Sequence, residues 1–206
     1  MFFLVGPAHV SSAASVLARA FIDDPGYAWI EPDPTRRVAC LAALYEGVVR
    51  SALPLETTWA AEDAERSLAA VAAWWAPGES VGLWQYLRAG LATLPFRIGP
   101  GATTRTLRAL GTMESEHARV AAGEPHWFLD HLGVDPPAQG RGLGRRLVSA
   151  QLAKVDAEGV PALLHTSKER NLGFYASLGF QQVREVKVGG AAGFTLWTMR
   201  RAGIGR

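Results

Sequence analysis

Cysteine is almost absent. Cys40 stands alone among 206 residues, so no disulfide within the chain can form and no thiolate cluster can hold a metal. It falls among Val38, Leu41 and Leu44 in an apolar pattern at helical spacing, which reads as a buried helix position and not as an activated nucleophile. Lysine is scarce too. With 3 lysines against 18 arginines and a formal net charge of +2, the basic residues are scattered and no run of five exists. The usual electrostatic footprint of a nucleic-acid binder is therefore missing, although a pI near 8.9 leaves room for an anionic ligand. Long apolar runs are lacking as well. The longest, Leu68 to Pro77, is too short to cross a bilayer. Met1 to Val5 carries no basic region and is too short for a secretory signal. The expectation is a cytoplasmic protein with neither a nucleic-acid nor a membrane partner. No repeat, low-complexity tract or linker interrupts the chain, so residues 1–206 read as one domain, and a hydrophobic fraction of 49% suits a full core.

What is present is an alternation of strand and helix patterns. Residues 1–5 read as a strand, and Ser11 or Ser12 can cap a helix to about Ile22 that Asp24-Pro25-Gly26 stops. Asp33-Pro34 opens a second helix to about Leu53. Thr57 to Ala61 and Ser67 to Trp75 suit paired strands, and Ser80 can cap a helix to about Leu94. Pro95 to Gly101 reads as a loop and Thr103 to Ala122 as a helix. Trp127 to Val134 is the expected central strand. Leu143, Leu147, Val148, Leu152 and Val155 mark one face of a helix that Gly159 ends. A strand over 160–166, a short helix over 170–178 and two late strands, 180–188 and 194–199, complete the pattern. The fold class that follows is α/β, a mixed sheet flanked by helices.

Between the central strand and its following helix the chain reads Gln139-Gly140-Arg141-Gly142-Leu143-Gly144. A strand, a glycine-rich turn and a helix N-terminus in that order make an anion cradle, because the backbone can approach a ligand and aim N–H groups and the helix dipole at it. Counted from Gly140, dinucleotide and triphosphate loops both demand a glycine where Arg145 stands. What remains is Q-x-x-G-x-G. About thirty residues on, Asn171-Leu172-Gly173-Phe174-Tyr175 precedes Leu178-Gly179-Phe180. The two blocks together resemble the GCN5-related N-acetyltransferases (GNAT). Glu124 to Leu129, Leu132-Gly133-Val134, Thr166-Ser167 and Trp74 to Ser80 are similar to the branch that contains puromycin N-acetyltransferase. The clear match spans roughly 124–185.

The resemblance implies a GNAT fold whose central strands splay apart, acetyl-coenzyme A as co-substrate, and no metal. It implies cofactor contacts from Leu132, Gly133 and Val134 to the pantetheine arm and from Gln139, Gly140, Arg141, Gly142, Leu143, Gly144 and Arg145 to the pyrophosphate, with Arg146 nearby and Asn171 on the pantetheine. Tyr175 is the expected general acid for the departing thiolate, since a phenol can donate a proton there. His126 and Asp130 are the base candidates, with His131 and Glu114 beside them. Alternation along a strand predicts Asp130 and Leu132 on one face and His131 on the other. A metal bound by His126, Asp130 and His131 is not expected from that scatter.

Asp23 and Asp24 follow the first helix where the family's substrate loop lies and can meet a cationic amine. The puromycin branch carries an aromatic hydroxyl at roughly that place. Trp29, Trp59 and Trp84 are core residues or walls of an aromatic acceptor site. The expected activity is acetyl transfer to a small-molecule amine, an antibiotic or other aminated metabolite, by direct attack in a ternary complex. The alternatives are a protein lysine or N-terminal acetyltransferase and a catalytically silent coenzyme A sensor. The acceptor, the size of the acyl group and the state, monomer or homodimer, stay open.

Overall fold

The computed structural model describes residues 1–79 and 90–203. A seven-stranded sheet of order β1-β2-β3-β4-β5-β7-β6 forms its middle. The strands are β1 (Phe2–Leu4), β2 (Thr58–Glu62), β3 (Leu68–Trp75), β4 (Trp127–Val134), β5 (Ala162–Thr166), β6 (Gln181–Val188) and β7 (Phe194–Arg201). Neighbours run antiparallel except β4 and β5, which are parallel. A parallel pair needs a long crossover, and helix α5 (Leu143–Glu158) provides it.

Among the described residues, further helices flank the sheet: α1 (Val10–Ala20), α2 (Pro25–Ile30), α3 (Pro34–Ala52), α4 (Leu94–Ala121) and α6 (Arg170–Ala176). On one face α5 packs Leu147, Val148, Leu152 and Val155 against Trp74, Trp127 and Leu129. On the other, α1 and α3 enclose Leu17, Leu41, Tyr45 and Val71. Pro34–Leu55 is long and apolar enough by composition to cross a bilayer, but Leu41, Tyr45 and Val49 turn its apolar side into this core.

Several expectations change. The chain does not simply stop at Asp24-Pro25-Gly26. Asp24 accepts from the Gly26 N–H at 2.9 Å and starts α2, with proline at a permitted early position. The serines do not cap α1, whose N-cap is His9. Pro95 to Gly101 is helical on both sides of a break, and α4 kinks where Gly99 takes φ 81° ahead of Pro100, which cannot continue the hydrogen-bond ladder. The expected helix from Ser80 to about Leu94 lies mostly outside the described residues, as does Trp84. Asp33 does cap α3, accepting from Thr35 and Arg36 N–H groups.

Candidate active site

The site grows from an interruption in the sheet. β4 pairs with β5 at Trp127, Phe128 and Leu129 only, whereas its pairing with β3 continues to Val134. From Asp130 onward the β5-facing edge of β4 is unpaired in the sheet, and β5 at His165 and Thr166 is bonded only to β7. This is the expected splay. Unpaired strand edges present N–H and C=O groups that another extended chain can join.

The same stretch of β4 carries a bulge. Ala73 opposes His131 but Trp74 opposes Leu129, so Asp130 is the extra residue. The bulge overturns the expected alternation. Asp130 and His131 lie together, with Asp130 Oδ2 2.8 Å from His131 Nδ1, while Leu132 packs into the α5 core. The approach is too misaligned to be a hydrogen bond, and Nδ1 has no other partner, so the contact is one of proximity and charge. The His131 ring stacks edge-on to Tyr45 at 5.2 Å, and Phe21 and Tyr27 complete an aromatic group around it. The Tyr45 and Tyr27 hydroxyls are hydrogen-bonded to each other at 2.7 Å.

Past β4, the turn takes the shape its glycines allow. Gly140 and Gly142 adopt φ +76° and +75°, and a methyl group on either would meet nothing within 4 Å, so both face open space. Gly144 differs: a Cβ there would press on Val134 at 3.2 Å, so this glycine lets α5 approach β4. Gly142 is the N-cap of α5 and supplies no capping side chain, and no acidic residue occupies the first turn. The first N–H groups of the helix lack intrahelical acceptors, which suits an anion. Gln139 donates from Nε2 to the Val134 carbonyl at 3.0 Å and so ties the turn to the strand. Arg145 donates to Ser177 at 2.6 Å, Arg146 lies over the Phe2 ring, and Arg141 is exposed. Gly133 faces α1, where a Cβ would lie 2.8 Å from Leu17.

Under the splay, on the α4 face, a cavity of about 1020 Å³ opens, lined by α2–α4, β3–β5, α6 and β7. Most of its wall is apolar, but Asp24, Glu114 and Asp130 line it, together with Tyr175 and Asn171. Tyr175 is buried between Phe174 and Phe180, and its hydroxyl has no hydrogen-bond partner among the described residues. Burial, reinforced by the Asp24 charge, pushes its phenol above the ordinary range. Asn171 donates to Thr166 Oγ1 at 3.2 Å. Asp24 is 4% exposed and accepts from Ser167 Oγ at 2.6 Å, which links α2 to the β5–α6 loop. Asp23 is exposed and does not line the cavity. Trp29 packs on Phe194 and Trp59 lies on β2, so neither lines the cavity; Trp75 does.

His126 is not free. Its Nδ1 lies 2.6 Å from the Glu124 carbonyl and its Nε2 2.9 Å from His117 Nε2. His117 and His165 are wall residues that sequence reasoning missed. Burial pushes each down to about 4, aided at His117 by His126 and at His165 by His117. The only sequence signal for His117 is its spacing of four from Met113 and Ala121, which also line the cavity. Among the described residues no group of three or more His, Cys, Asp or Glu side chains is arranged to hold a metal.

The profile of the acetyltransferase (GNAT) domain matches residues 105–182, from α4 to the start of β6. Over those residues the chain carries a GNAT acetyltransferase domain. It is 26% identical over 174 residues to an uncharacterised N-acetyltransferase of Schizosaccharomyces pombe, covering 82% of this chain and 69% of that one. It is 39% identical over 84 residues to the N-alpha-acetyltransferase RimI of Mycobacterium tuberculosis, covering 38% of this chain and 53% of that one. The fold is similar to that of a histone acetyltransferase HPA2 and related acetyltransferase from Corynebacterium glutamicum, with TM-score 0.73 and 22% identity over 100% of this chain and 97% of that one. It is also similar to arylalkylamine N-acetyltransferase 2 from Aedes aegypti, with TM-score 0.69 and 15% identity over 100% and 99% of the two chains. The domain and the N-acetyltransferase relatives mark an acyltransferase, and acetyl-coenzyme A is the co-substrate that GNAT enzymes use.

Proposed function

We propose that this GNAT protein acetylates the amine of a small molecule, with both substrates bound together. The observation that carries the reading is the junction itself: an unpaired β4 edge and an open glycine turn on one side, and a large, mostly apolar cavity with buried carboxylates on the other. The open space at Gly140 and Gly142 fits a pyrophosphate, and the edge from Asp130 to Val134 fits the pantetheine amides. Leu132, Gly133 and Val134 supply that edge, Asn171 adds an amide, and residues 139–145 hold the diphosphate. When bound, acetyl-coenzyme A supplies an activated acetyl thioester.

The chain's own residues do the rest. Asp24 and Asp130 attract an ammonium group to the inner end of the cavity, and the apolar walls favour a bulky or aromatic body. Tyr175 stays protonated through neutral pH and donates its phenol proton to the departing sulfur. Cys40 gives no covalent route, because it is 4% exposed and burial pushes its thiol up to about 11. A protein N-terminus is the second reading, favoured by the RimI match, and a peptide acceptor would compete for the same cavity.

Titration of acetyl-coenzyme A into the wild type and Gly142→Trp by calorimetry tests the cofactor half. Binding that is lost in the variant supports it, and no binding to the wild type refutes it. Release of coenzyme A with primary amines, but not with peptide N-termini, supports the acceptor class.

A further inference from the structure

We propose that His117 takes the proton shed by the acceptor ammonium and shares it with His126, the two rings forming a paired proton acceptor for the reaction. The inference rests on the N-acetyltransferase reading above.

Hydrogen-bond logic assigns the protons. The Glu124 carbonyl can only accept, so His126 carries its proton on Nδ1. In a neutral ring the His126 Nε2 is then an acceptor, and the hydrogen between the two Nε2 atoms, 2.9 Å apart, belongs to His117. Neutral His117 therefore has an unprotonated Nδ1. That atom has no hydrogen-bond partner among the described residues, and its ring lines the cavity alongside Asp130. Both rings line the cavity, and hydrogen bonding orders the pair: a bare nitrogen on His117, a shared hydrogen, and a second ring anchored by the Glu124 carbonyl.

Two rings achieve what one does not. His117 contacts Phe128 at 4.5 Å and Trp75 at 6.5 Å between ring centres, surroundings that disfavour an imidazolium. Moving the charge to His126 takes it to a half-buried ring beside exposed Glu124. The other groups facing His117 are Asp130 from β4, which favours a proton on it, and His165 from β5, 6.1 Å away and mostly buried. Glu114 is exposed on the same helix, and Glu116 is engaged by Arg184 at 2.7 Å.

The step balances. An N–H bond of the ammonium breaks and its electron pair stays on the amine nitrogen. The proton binds Nδ1 of His117, whose Nε2 proton passes to Nε2 of His126. His117 is left neutral in its other tautomer and His126 is left as an imidazolium. After the product leaves and water enters, the reverse shift releases the proton from His117 Nδ1 to solvent.

Nitrogen-15 NMR of histidine-labelled protein at neutral pH tests the wiring without any acceptor. The expected pattern is protonated Nδ1 on His126 and protonated Nε2 with bare Nδ1 on His117; a proton on His117 Nδ1 overturns the proposal. Kinetics with a panel of primary amines including 2-phenylethylamine adds the functional arm. His117→Phe should lower kcat by about 10²–10⁴-fold with the amine KM little changed. The lost rate should return as pH rises toward the pKa of the free amine. His126→Gln should show the same profile more weakly. Unchanged kcat in His117→Phe overturns the relay even where the tautomers agree. If the wild type acetylates no amine, the acyltransfer reading fails, while the NMR pattern still decides the wiring.

Discussion

Replacing Tyr175 by phenylalanine separates chemistry from architecture in this protein. The ring is buried between Phe174 and Phe180, and phenylalanine keeps those contacts. The hydroxyl makes no hydrogen bond among the described residues. Burying an unpaired hydroxyl costs roughly 1–3 kcal/mol, and its lining position lets water offset part of that cost. Tyr175→Phe should therefore leave the protein equally stable or raise Tm by a few degrees, since about 1 kcal/mol is worth ~2–4 °C at this chain length. The rate should move the other way. A positioned general acid contributes about 10²–10⁴-fold, or roughly 2.7–5.4 kcal/mol of barrier. Turnover at saturating acetyl-coenzyme A, cofactor affinity by calorimetry and thermal unfolding should be measured on one preparation. A variant within twofold of the wild-type kcat removes Tyr175 from the acid role. A fall in kcat that tracks an equal fall in cofactor affinity or in Tm would show a scaffolding tyrosine instead.

Asp130→Asn should raise the KM for a cationic amine by about ten- to a hundredfold, as expected when a charge-assisted contact is lost, and leave acetyl-coenzyme A affinity unchanged; equal KM values would take the ammonium away from Asp130. Gly133→Ala places a methyl 2.8 Å from Leu17 and 3.1 Å from Ala20, and overpacking of this kind costs about 1–3 kcal/mol, so urea unfolding should show a lower midpoint at an unchanged slope. Acid should weaken the fold through His165, which burial holds down to about 4. An unfolded histidine titrates near 6.5, so the unfolded chain binds more protons between those values and stability falls as pH drops through that window, by on the order of 3 kcal/mol once both limits are passed. His165→Leu should flatten that part of the stability–pH curve, and an unchanged curve would place the acid sensitivity elsewhere.

Much of this protein is legible along the chain because its signals are local. The glycines of the 139–144 turn are required where φ is positive, the apolar spacing of α5 survives any tertiary arrangement, and β4 runs over the very residues, Trp127 to Val134, that its apolar pattern marks. The paired blocks around Gln139 and Asn171 were enough to indicate the family and its fold. What the chain alone could not decide depends on contacts between distant segments. A bulge is a mismatch between two strands, so no pattern within β4 reveals that Asp130 joins His131 on one side. The buried link from Asp24 to Ser167 spans 143 residues. His117 meets His126 because α4 crosses the entrance of β4, and a lone helical histidine carries no mark of a partner nine positions on. Local backbone requirements and periodicity write themselves into sequence. The facing of side chains across a cavity is settled only when the elements pack.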